Sequence, residues 1–126
     1  MKILLCALFL SALPFYATAA DDDFFRLTLT KGDTVTVFRQ EARGRPLVME
    51  QEGRVLSERS LLPDDQAYLE EKIKAVPLGK ESGCGRASGR VTGTSLGEGM
   101  ALACLDRNSK ASSAIQELAN LLAAFL

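Results

Sequence analysis

Phe25-Arg26-Leu27-Thr28-Leu29-Thr30, then Lys31-Gly32-Asp33, then Thr34-Val35-Thr36-Val37-Phe38 is the stretch that decides the fold. Phe25, Leu27 and Leu29 alternate with Arg26, Thr28 and Thr30, the two-residue period of a strand with one buried and one wet face. Lys31-Gly32-Asp33 interrupts that alternation, with Gly32 at the position needing a positive φ. Thr34 to Gln40 resumes with β-branched residues, so the two segments read as an antiparallel hairpin. Arg43-Gly44-Arg45-Pro46 is a second turn before Leu47 to Gln51, and Glu52-Gly53 turns the chain again into Arg54 to Ser60. Residues 25–60 are therefore predicted to form a four-stranded antiparallel meander.

Pro63-Asp64-Asp65 starts a helix beyond the meander. Proline suits a first turn, where its missing N–H has no partner to lose, and the two carboxylates meet the positive end of the helix dipole. Leu69, Ile73 and Val76 follow at helical spacing, Lys72 and Lys74 lie toward the other end, and Pro77 and Gly79 stop the run. From Gly79 to Gly99 the glycine density weakens regular structure, which predicts a loop containing an irregular strand near Arg90 to Thr94. Met100 to Leu105 reads as a short central strand. Asn108 or Ser109 is placed to cap a final helix whose Ile115, Leu118, Leu122 and Phe125 form one stripe. The expected architecture for residues 21–126 is a single small α+β domain. Its antiparallel sheet joins the N-terminal meander to a C-terminal hairpin, with two helices on one face.

Residues 1–20 read as an address rather than as structure. Lys2 gives a positive start, Ile3 to Leu13 form an apolar run, Pro14 breaks it, and Ala17-Thr18-Ala19 offers small residues for a signal peptidase. The run is too short to span a bilayer, so cleavage after Ala19 or Ala20 and a periplasmic or secreted location are expected. Cleavage removes Cys6, which lies inside the apolar run and not at a lipid-attachment point. Cys84 and Cys104 remain, an even pair for an oxidising compartment. No transmembrane segment is expected in the mature chain.

The 126 residues carry 15 Lys and Arg against 16 Asp and Glu, a net charge of −1. That balance makes no field able to gather phosphates or anionic lipid, so nucleic acid is not an expected partner. Histidine and tryptophan are both absent. The first absence removes the commonest general acid/base and metal ligand at neutral pH, the second an indole platform or anchor.

Cys84 and Cys104 are expected to pair as a structural staple, worth on the order of 3 kcal/mol for a closed loop of about 20 residues. A reactive thiol would need Cys-x-x-Cys spacing or a neighbouring base; Arg86 could lower a thiol pKa but supplies no base. The glycines around Cys84 do not form Gly-x-x-x-x-Gly-Lys-Ser/Thr, so no phosphate loop is expected. Their plain explanation is backbone freedom to reach the disulfide. The sharper one is a ring-closed recognition loop carrying Arg86, Ser88 and Arg90 on pre-organised backbone.

The carboxylate pairs Asp64-Asp65 and Glu70-Glu71 are adjacent on a helix and diverge, so neither can share a proton or flank a glycosidic bond. Asp21-Asp22-Asp23 is an acidic lead expected to fray, without the pattern of a calcium loop. A serine nucleophile would need a lysine base here, yet neither Ser-x-x-Lys nor a Gly-x-Ser-x-Gly elbow is expected, and Gly79-Lys80-Glu81-Ser82-Gly83 is not that elbow. Leu121 and Leu126 lie off the last helix's stripe and would be a partner contact if exposed. These residues point to no catalytic, cofactor or metal site. The expected function is a small exported non-enzymatic binding module for a protein partner, of the kind that inhibits or escorts an exported hydrolase. The alternatives are an assembly subunit using a sheet edge or the hydrophobic C-terminal helix, and, further off, a Ser/Lys hydrolase.

Overall fold

The alternation in residues 25–40 produces two seven-residue strands, β1 (Phe25–Lys31) and β2 (Thr34–Gln40), paired in register from Phe25↔Gln40 to Lys31↔Thr34. Gly32 turns between them with φ +62°. β3 (Leu47–Gln51) and β4 (Arg54–Arg59) complete the meander, with a bulge where β4 passes Met49 and Glu50. These elements come from a computed structural model, which describes residues 23–126. The expected leader, 1–20, lies outside the described residues. Asp23 does not fray: it is buried, bonds Arg26 Nε at 3.3 Å, and its carbonyl accepts the Thr94 N–H.

Helix α1 (Pro63–Lys74) begins at the proline, with Asp64 and Asp65 in its first turn and Lys72 and Lys74 in its last. Helix α2 (Lys110–Phe125) is capped by Ser109, whose Oγ accepts the Ser112 N–H at 3.1 Å. Leu69 and Ile73 of α1 and Ile115, Leu118 and Leu122 of α2 share one core with Phe25, Leu27, Phe38, Leu47 and Val91 of the strands. Leu121 and Leu126 are half-buried against that core, so neither is a free contact. Among the described residues no helix is long and apolar enough to cross a membrane.

The sheet departs from expectation between the helices. Among the described residues it has seven strands in the order β4-β3-β2-β1-β6-β7-β5, with β5 at Gly79–Lys80, β6 at Ala87–Thr92 and β7 at Ala101–Cys104. β5 pairs with β7 in parallel, so the sheet is mixed and not purely antiparallel. The main chain explains this: the N–H groups of Gly79 and Glu81 bond the carbonyls of Met100 and Leu102, each at 2.9 Å, and two residues are too few to show a period. β7 is flanked on both sides yet is next to the edge, not central. β6, expected as a broken stretch, is a continuous strand pairing with β1 on one side and β7 on the other. Its Gly89 serves packing: a Cβ there would come 2.7 Å from Ile115 Cγ2.

Candidate functional site

Strand alternation divides the sheet into a face carrying the core residues and an outer face. Across the outer face the registers line up Lys80, Leu102, Arg90, Thr28, Val37, Glu50 and Val55, one residue from each strand. The row on one side holds Ser88, Thr30 and Val35, ending at Cys104; the row on the other holds Thr92, Arg26, Arg39, Val48 and Glu58. Lys80 and Arg90 lie on β5 and β6, Arg26 and Arg39 on β1 and β2, and the acidic Glu50 and Glu58 on β3 and β4.

Arg26 and Arg39 stand directly opposite each other, an arrangement that repels unless neutralised. Asp23 lies 3.3 Å from Arg26, while Glu50 lies 2.6 Å and Glu41 3.7 Å from Arg39. The hydrogen bond to Glu50 is the main reason the Arg39 pKa is raised further, with the charges of Glu50, Asp23 and Glu41 adding to it. Arg90 differs: it is exposed and makes no salt bridge to any described residue.

Ser88 and Arg90, expected on a loop, are in β6, and their two-residue spacing puts both on the outer face. Arg86 precedes the strand. Its carbonyl accepts the Gly32 N–H at 2.7 Å, and its guanidinium reaches out 3.8 Å from Asp33. The arch before it, residues 81–86, passes over the end of β7 and is held there. Cys84 and Cys104 form the expected disulfide, with Cα atoms 4.9 Å apart and Cys104 fully buried. Arg107 Nη2 donates to the Gly83 carbonyl at 3.2 Å, and Glu81 Oε1 accepts the Cys104 N–H at 2.8 Å. The Cys104 N–H, then the Ser109 hydroxyl, hold the Glu81 carboxyl below its ordinary pKa, with Arg107 adding to them.

A second constellation escaped the sequence reading. Gln40 and Gln66 are buried and bond each other; Gln66 also donates to Glu70 at 3.1 Å, and Gln40 to the Arg45 carbonyl at 2.8 Å. Glu70 is ion-paired with Arg43, whose guanidinium lies over the Phe24 ring at 5.7 Å from its centroid. Gln66, Glu70 and Arg43 border a groove of about 450 Å³ between α1 and the turn at residues 43–44, lined also by Leu61, Pro63 and Ala67. The signal was present: Gln66, Leu69 and Ile73 share one helical stripe, and Gln40 has the parity of Phe38.

Contrary to the expectation that no Gly-x-Ser-x-Gly occurs, Gly93-Thr94-Ser95-Leu96-Gly97 has that spacing. The strand before it is β6, but Thr94–Leu96 within the motif form a three-residue 3-10 helix with no α-helix after it, and the chain holds no histidine to act as base. A hydrolase triad is not assembled there. Gly93 is required by close approach, because a Cβ would strike the backbone of Phe24 and Phe25. Among the described residues no group of three His, Cys, Asp or Glu side chains could hold a metal ion. No protein-family model, curated protein or solved structure matches the chain.

Proposed function

We propose that the protein is a small exported binding module that acts without catalysis and engages a protein partner through its outer sheet face. Both helices then lie over the core face: α1 touches it where Gln66 meets Gln40, and α2 where Ile115 meets Gly89. Arg90 is the observation that carries the reading. It projects from an interior strand beside two neutralised arginines, with no carboxylate of its own among the described residues. A rigid strand spares the cost of ordering backbone on binding, and arginine is enriched at the centre of protein interfaces. Arg86 and Ser88 extend the surface toward the disulfide arch. The partner in this reading is an exported hydrolase that the module occludes or escorts.

The test is affinity capture from the native exported fraction with wild type, Arg86→Ala and Arg90→Ala side by side. The arginine variants are expected to lose the captured protein while keeping the wild-type unfolding midpoint. Unchanged capture by both would remove the outer face as the epitope.

Assembly through a sheet edge is a second reading, favoured by Val55 and Leu56 on edge strand β4, which are 56% and 55% exposed. The β4 bulge and the charges of Arg54, Glu58 and Arg59 oppose strand addition there. Concentration-dependent oligomers lost in Leu56→Glu would support this second reading.

A further inference from the structure

The groove beside α1 adjoins a smaller cavity of about 50 Å³, and the ion-paired Arg43 and Glu70 line both. Lys74, Phe24, Ile73 and Ser95 complete the smaller one. Ser95 Oγ is buried there with no hydrogen-bond partner among the described residues. An orphaned buried hydroxyl is costly, and a ligand that supplies its partner recovers that cost.

We infer that this groove and the cavity beside it together bind a small apolar monocarboxylate, with its head at Ser95, Lys74 and Arg43 and its tail along Leu61, Pro63 and Ala67. The charge balance selects the head. Arg43 and Lys74 bring two positive charges to the cavity and Glu70 one negative, so one positive charge remains unmatched. Glu70 is already engaged by Arg43 and by Gln66, which leaves Lys74, the remaining guanidinium N–H groups and the Ser95 hydroxyl as donors. Donors of this kind lining one cavity suit a carboxylate. The lining selects the tail, since Leu61, Pro63 and Ala67 offer apolar surface, and about 450 Å³ falls within the range of small-ligand sites. The saturated Gln40–Gln66 amide pair forms a rigid wall and competes for no ligand atom.

The test is NMR titration of the purified protein with n-alkanoates from butanoate to octanoate, with n-alkylamines of matched length as the control. Shifts are expected at Ala67, Glu70 and Ser95, with affinity rising about three- to fourfold per added methylene. The amines should not bind. Ser95→Ala should weaken octanoate about tenfold or more while the unfolding midpoint stays level or rises, because an unpaired buried hydroxyl has been removed. Lys74→Met should weaken octanoate without changing the fold. Absence of shifts at these residues, equal binding of amines, no dependence on chain length, or full affinity in Ser95→Ala would each overturn the inference. None of these outcomes bears on the outer face, whose arginines lie outside this lining.

Discussion

Gln40 and Gln66, one from β2 and one from α1, meet as two buried amides that each donate to the other, at 2.6 Å and 3.1 Å. They join a strand of the sheet to a helix across the core boundary and extend the bond chain to Glu70 and the Arg45 carbonyl. A polar pair of this sort is stabilising only while it is complete.

The pair therefore makes an asymmetric prediction. Gln40→Leu or Gln66→Leu alone leaves the facing buried amide without its reciprocal partner, its carbonyl oxygen unsatisfied, and is expected to lower unfolding free energy by about 1–3 kcal/mol. The double variant should lose clearly less than the sum of the two, as measured by denaturant unfolding in a double-mutant cycle. Additive losses would mean that the amides do not act together.

Glu81 predicts an acid limb in stability. Its folded pKa lies below its ordinary value because it accepts the Cys104 N–H and the Ser109 hydroxyl. The stability it contributes is thus present above the pH where an unfolded glutamate ionises, and is lost as pH falls through the lower folded value. Thermal unfolding of wild type and Glu81→Gln should converge as the pH is lowered through the glutamate range, with wild type the more stable at neutral pH. A constant gap at all pH values would contradict this.

Gly89 predicts a steric limit at the β6–α2 contact. Gly89→Ala brings a methyl against Ile115 Cγ2 and Leu29 Cδ2 and should lose about 1–3 kcal/mol. Ile115→Leu lacks the β-branch methyl, so combined with Gly89→Ala it should recover part of that loss. No recovery would place the strain elsewhere.

The Cys84–Cys104 bridge closes a loop with a sequence separation of 20. Cys84→Ser or Cys104→Ser is expected to cost on the order of 3 kcal/mol. For a domain of this size that is a fall of roughly 12 °C or more in unfolding midpoint. An unchanged midpoint under oxidising conditions would show that the arch is held by Glu81 and Arg107 alone.

Much of the fold was legible because its signals are local. β1 and β2 match their alternation, the Glu52-Gly53 turn sets β3 and β4, and Pro63 marks α1. Ser109 caps α2 as its position before the stripe implied. What stayed hidden was set by distant partners. β5 has two residues and exists because Met100 and Leu102 supply carbonyls. The glycines of β6 read as loop, although Gly89 is there for Ile115 and Gly93 for Phe24. Arg86, Ser88 and Arg90 were legible as residues of interest, but only the strand shows that Ser88 and Arg90 share a face. The Gln40–Gln66 pair and Ser95 were missed because burial of a polar group depends on what packs over it.

The most direct measurement on the outer face is arginine-specific covalent footprinting, comparing the protein within its native exported fraction to the isolated protein. Arg90 and Arg86 should be protected in the native fraction, while Arg43 and Arg45, in the loop after β2, react equally in both. Equal reactivity of all four would contradict a partner on this face.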